Sequence, residues 1–275
     1  MKDMKKVLIT VKTYPTISKK YDELVCTAGV LEDGSWIRIY PMPFRKLDYE
    51  NQYKKYQWLE APLEKNQSDP RPESYKVADI KKVKLLDTVG TSNSWSERRR
   101  ILFNKQQVFT NLKDLISKAN KNELSLAIFK PTKFVSFICE QTEREWSKEN
   151  LKLLRAKSQQ LSFFQTPEEI EKEFSVVRKL PYRFSYEFVD DVGTKSILMI
   201  EDWEIGMLYW NCLMKCSNNE ELAVKMVKNK YFDEFLEKDL YLFLGTLRQW
   251  HGRAKNPFVI VGVFYPPFNQ QKDLF

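Results

Sequence analysis

Two β-rich runs, Glu23 to Leu31 and Ser35 to Tyr40, flank an Asp33-Gly34 turn, and no other short stretch of the chain restricts its fold as tightly. Glycine accepts the positive φ that a tight hairpin turn requires, so the two runs predict a β-hairpin. Strand alternation then places Trp36, Arg38 and Tyr40 on one face and Ile37 and Ile39 on the other. The isoleucines suit an apolar core, whereas the face that carries Arg38 is expected to stay outside it. Pro41 and Pro43 end the second strand.

Further short strands are expected at residues 6–12, 56–61, 75–86, 124–129, 133–140, 182–189, 196–200, 241–244 and 258–264. Helical text is sparser. Ser94-x-x-Glu97 reads as a capping box, and Ile101, Leu102, Val108, Leu112, Leu115 and Ile116 recur at helical spacing up to Asn120, as one helix or a bent pair. Asp202 can cap a helix with Trp203, Met207 and Trp210 on one face, and helical text resumes over 219–238. Residues 141–180 are polar and charge-rich. Because strands and helices do not alternate regularly, the expected class is α+β, two small OB-like β-barrel modules with helical insertions. The first module spans 1–140, a polar bridge 141–180, and a C-terminal α+β module with a terminal tail 181–275. Eight glycines and no Gly-rich phosphate loop argue against P-loop or Rossmann chemistry.

Lys and Arg total 45 against 37 Asp and Glu, a net charge of +8, with a pI near 9.1. A basic chain favours a polyanionic partner, here single- or double-stranded nucleic acid. No apolar run is long enough to span a bilayer, so no membrane partner is expected. The start, Met1-Lys-Asp-Met-Lys-Lys, enters a strand with no apolar leader, which predicts a reduced, cytoplasmic setting. Cysteines stand at 26, 139, 212 and 216; only the last pair is close, at helical-face spacing, so neither a metal nor a cofactor is expected. His251 is the sole histidine, and any Ser-His-Asp triad or Cys-His pair would depend on it.

The stretch Val25-Cys26-Thr27-Ala28-Gly29-Val30, followed by Asp33-Gly34-Ser35-Trp36-Ile37-Arg38, resembles the opening motif of the bacterial dual-OB-domain-containing proteins. Arg71-Pro72-Glu73-Ser74 and the closing Phe258 to Phe264 are similar to the longer pattern of such proteins. The resemblance covers mainly the N-terminal half and implies a setting in DNA metabolism or antiphage defence.

An OB-type barrel holds single strands by joining a basic groove to aromatic platforms. Trp36, Arg38, Tyr40, Phe44 and Arg45 supply that mixture in the hairpin and its exit. The structural alternative is Trp36 and Tyr40 packed around the Arg38 stem under a loop. Arg98, Arg99 and Arg100 crowd the start of a helix, the unfavourable end for cations, and await an anion, either phosphate or a carboxylate such as Glu97. Asp69, Glu73 and Lys76 imitate the carboxylate set of a metal-dependent nuclease, the alternative catalytic reading; Asp190, Asp191, Glu201, Asp202 and Glu204 form a second acidic group that helix capping and turns explain. At the C-terminus, Gln271, Asp273, Leu274 and Phe275 match the pentapeptide with which bacterial proteins engage the DNA sliding clamp, and Gln160 to Phe164 approximates it. The expected function is a nucleic-acid-binding adaptor in DNA metabolism or defence, recruited by the clamp. A nuclease and a protein-only scaffold subunit are the alternatives.

Overall fold

Val7 to Val11 form a run that is buried on both faces, because the strand they build serves two cores at once. In the computed structural model, which describes residues 3–15, 25–42, 44, 52–149, 151 and 177–268, this strand is β1 (Met4–Lys12). It pairs with β2 (Val25–Leu31), which turns through Gly34 at φ +80° into β3 (Trp36–Met42), as the hairpin signal predicts. β4 (Gln57–Lys65) and β5 (Ser74–Val77) complete the order β1-β2-β3-β5-β4, and β4 pairs back onto β1. The N-terminal region is therefore a closed five-stranded barrel, antiparallel except where β3 meets β5. Val7, Ile9, Ile37, Ile39, Leu59 and Leu63 fill it. Gly29 permits closure: a Cβ there would lie 2.0 Å from the Leu8 carbonyl oxygen.

The run expected at 75–86 is not one strand. Asp79 accepts a hydrogen bond from Lys81 N and caps a 3₁₀ turn, Ile80–Lys82, that separates β5 from β6 (Lys84–Thr88). The capping box at Ser94 does not form either. α1 (Ser92–Phe103) opens with Asn93, Ser94 and Trp95 in left-handed backbone conformations, and right-handed helix begins only after them. Left-handed residues other than glycine are strained, and the turn delivers Trp95 onto Tyr56, Phe264 and Tyr265, at ring separations of 6.4, 5.6 and 5.2 Å. Packing of the half-buried Trp95 into this aromatic cluster contributes to offsetting that strain, about 1–2 kcal/mol for each left-handed residue. The helical text that follows divides into α1 and α2 (Leu112–Asn120), with the short strand β7 (Val108–Phe109) between them.

The remaining strands are β8 (Leu126–Phe129), β9 (Lys133–Gln141), β10 (Tyr182–Val189), β11 (Lys195–Met199), β12 (Tyr241–Thr246) and β13 (Phe258–Phe264). They build two sheets, β13-β12-β8-β7 and β11-β10-β9, joined by a parallel bridge between Ile200 and Ile260. Asp202 caps α3 (Trp203–Lys215) by accepting from Glu204 N, as expected, and α4 (Glu220–Lys228) runs on into a π-helical turn. Phe137, Phe184, Tyr186, Phe188, Tyr209, Leu242 and Ile260 lie in the core of this half.

A third apolar cluster joins the two halves. Leu8, Ala28, Val30 and Trp36 on the outside of the barrel meet Leu126, Ile128, Phe243 and Val261 on β8, β12 and β13. Lys55 to Asp202 at 2.8 Å and Arg99 to Asp239 at 2.9 Å pin the same junction. β8, within the 1–140 unit drawn from the sequence, hydrogen-bonds to β12 of the 181–275 unit, so the sheet crosses that division. No helix among the described residues is long and apolar enough to cross a membrane.

Candidate functional site

The outer face of β3 divides at Arg38. Trp36 packs edge-on to Phe243, with ring centroids 5.8 Å apart. Arg38 is 1% exposed, and only Tyr40 reaches the rim of an open cleft. This corrects the expectation that the face holding Arg38 stays outside the apolar core: the β8-β12-β13 sheet covers it. A face with one charged residue among apolar ones can still be buried when the charge finds partners. Arg38 Nη1 donates to Cys26 Sγ at 2.9 Å, and Nη2 donates to Ser125 O at 3.0 Å. Its Nε has no partner, and among the described residues no carboxylate forms an ion pair with it. Burial lowers its pKa.

Two loops meet above this point. The β4–β5 loop brings Asp69, Pro70 and Arg71; the β12–β13 loop brings Arg248, Gln249, His251 and Arg253. Arg71 is buried, donating to Asp69 through Nε and Nη2 and to Thr246 O through Nη1 at 2.7 Å, with its guanidinium 5.7 Å from the Tyr40 ring centre. Burial alone would raise the Asp69 carboxyl, but hydrogen bonds from Arg71 and Ser74 and the Arg71 charge outweigh it and hold the group down at about 2. His251 Nε2 faces Asn122 Oδ1 at 2.7 Å and Nδ1 faces the Thr246 hydroxyl at 3.0 Å, so both ring nitrogens are spent on neutral groups. Burial, with Arg71 beside it, lowers its pKa and favours the neutral ring.

The cleft between these loops measures about 700 Å³ and is lined by Tyr40, Pro70, Glu201, Arg248, His251 and Arg253. A smaller pocket of about 120 Å³ adjoins it, sharing Tyr40, Glu201 and Arg248 and lined further by Cys26, Arg38 and Arg71. Arg248 and Arg253 are exposed and form no ion pair among the described residues, and Trp250 on the same loop is 49% exposed. Glu201 sits half-buried at the meeting of the two cavities, and burial raises its carboxyl to about 7. The chemistry available is cationic recognition next to an aromatic ring and a carboxyl that is half neutral near pH 7.

Of the other residues singled out from sequence, Arg98 lies against the Tyr56 and Trp95 rings and donates to Val89 O. Arg99 joins Asp239 and Pro267 O across the junction, and Arg100 pairs with Glu97. Asp69, Glu73 and Lys76 do not converge. Asp69 holds Arg71, Glu73 accepts from Ser125 N at 2.8 Å, and Lys76 turns outward to Glu64 at 3.1 Å. Within the β4–β5 loop the buried Arg71 holds Asp69 while Ser125 holds Glu73, so the two carboxylates have different partners, and among the described residues no set of His, Cys, Asp and Glu is arranged to hold a metal ion. In the second acidic group Asp190 closes a turn by accepting from Thr194 N, and Asp202 caps α3. Arg45, Gln160 to Phe164, Gln271, Asp273, Leu274 and Phe275 lie outside the described residues. Sequence reasoning missed Arg248, Trp250 and Arg253 as a group, although basic and aromatic residues alternate through Arg248-Gln-Trp-His-Gly-Arg-Ala-Lys255.

No curated protein matches the chain. Residues 3–104, from the barrel to the end of α1, match the family described as domain of unknown function DUF8758. Residues 105–275 match the domain of unknown function DUF8757, and the chain belongs to that family.

Proposed function

We propose that the protein is a nucleic-acid-binding adaptor made of two OB-like barrels, with a single strand seated in the cleft at their junction. The first barrel has the circular order β1-β2-β3-β5-β4. If β8 and β9 are counted as one strand bent at Pro131, the second half repeats that order: β9 to β10 to β11, across the parallel Ile200–Ile260 bridge to β13, then β12 and β8. In both modules the loop between the fourth and fifth strands is the one OB folds use on oligonucleotides. The observation that carries the proposal is that these two loops, 66–73 and 247–257, face each other over one cleft with Arg248, Arg253 and Tyr40 at its mouth. Cations neutralise the backbone and an aromatic ring stacks a base, the two features that every strand offers.

The proposal also includes the DNA-metabolism or defence setting and recruitment by the sliding clamp through Gln271 to Phe275, which rest on sequence alone. Anisotropy titrations with labelled single- and double-stranded DNA and RNA test it. Arg248→Gln with Arg253→Gln is expected to weaken single-strand binding and to flatten the plot of log K against log[salt] by about one to two units, with melting unchanged. In a separate titration with labelled sliding clamp, deletion of 271–275 is expected to abolish clamp binding while leaving nucleic-acid affinity unchanged. Absence of salt-sensitive binding to any of the four nucleic acids would leave the protein-only scaffold.

A further inference from the structure

The small pocket beside the cleft has features that strand binding does not use. It holds about 120 Å³, the room of about four waters at ~30 Å³ each. Arg38, Arg71 and Arg248 line it together with Cys26, Tyr40 and Glu201. Arg71 is ion-paired with Asp69, whereas Arg38 makes no direct ion pair with a described carboxylate: Glu73, which accepts from Ser125 N and Oγ, attracts it only from beyond that serine, and its Nε lacks a hydrogen-bond partner. A fully buried cation with an orphaned donor costs stability unless something anionic reaches it. Its immediate neighbours, Cys26 Sγ and the Ser125 oxygens, are neutral acceptors or weak ones.

An anion that fits must be small and rich in acceptors. A tetrahedral phosphate has five heavy atoms and matches the volume; a terminal monoester enters with one sugar left in the adjoining cleft, whereas an internal phosphodiester would have to fit a sugar on each side of it at the shared rim. Tyr40 lines both the pocket and the cleft, so a nucleotide whose phosphate lies against Arg38 and Arg71 can place its base by that ring. We infer that the Cys26–Arg38–Arg71 pocket receives the terminal phosphate monoester of the bound strand, so that the protein recognises a phosphorylated end. This rests on the strand-binding proposal and adds the end as the recognised feature.

The test uses the full chain and one labelled oligonucleotide prepared with a 5′-phosphate, a 3′-phosphate or hydroxyls at both ends. One phosphorylated form is expected to bind about tenfold tighter than the hydroxyl-ended form, the gain of one good charge-assisted contact. Inorganic phosphate at millimolar concentration is expected to erase the difference. Cys26→Met fills the pocket without removing a charge, and is expected to abolish the end preference while leaving affinity for the hydroxyl-ended strand in place; Arg38→Gln, checked for melting, is expected to do the same. Equal affinity for all three ends, with strand binding intact, overturns the inference and spares the strand-binding proposal. So does an end preference that survives Cys26→Met. Failure of every strand to bind overturns both. A phosphoserine peptide that binds as tightly as the phosphorylated strand overturns the assignment of the occupant to nucleic acid.

Discussion

Glu201 shows how much a single carboxyl depends on what surrounds it. It follows β11 directly, beside the cap residue Asp202, yet lines both cavities and has its proton affinity raised by burial to about 7. An unfolded glutamate titrates near 4.3. Below that pH both states are protonated and the group costs nothing; as pH rises from about 4.5 through 7 the unfolded chain releases its proton first, and the folded protein loses stability. Above pH 7 the folded state carries a buried carboxylate. Glu201→Gln removes the penalty and is expected to raise stability at pH 8 by about 1–3 kcal/mol, discounted for partial exposure, and to leave it unchanged at pH 4. Urea titrations at the two pH values check this; an equal effect at both would mean that the carboxyl is not penalised. None of this was legible in the sequence, where Glu201 is one of several acidic residues around a helix start. Asp202 and Asp190 were legible, because capping and turn roles are set by neighbours two to four residues away.

At the scale of elements, β3 is the instructive case. Alternation correctly separates Ile37 and Ile39 from Trp36, Arg38 and Tyr40, since a strand's two faces follow from its pleat. What lies over each face does not. The barrel interior takes the isoleucines, and the sheet of β8, β12 and β13 takes Trp36 and Arg38. Trp36→Ala is therefore expected to cost about 2 kcal/mol of stability, less than for a fully buried tryptophan, through the contact it loses with Phe243, while the folded fraction binds oligonucleotide as before. A stacking platform would give the reverse, lost affinity with unchanged melting, so the two measurements together decide. The left-handed turn at Asn93, Ser94 and Trp95 makes the same point: the local sequence signals a capping box, and the aromatic cluster around Tyr56 and Phe264 overrides it.

The whole molecule is held together by a core that neither half owns. Leu8, Val11, Ala28, Val30 and Trp36 would face water if residues 3–104 stood alone, a patch of the kind that drives association rather than solubility. The buried Lys55–Asp202 pair would lose its carboxylate as well. The full chain is expected to unfold in one transition by near- and far-ultraviolet circular dichroism, and the 3–104 fragment to show no cooperative transition. A sharply melting monomeric fragment would show the interface to be dispensable. The chain by itself determined the hairpin at Asp33-Gly34, nearly every strand and the cap at Asp202, because periodicity, turn residues and caps act over a few neighbouring positions. Only the tertiary structure decided that the β3 face is an interface, that Asp69 and Glu73 part company, and that loops 66–73 and 247–257 share one cleft. Those are contacts between residues fifty or more positions apart, or choices imposed by such contacts, and no local pattern encodes which surface will cover which.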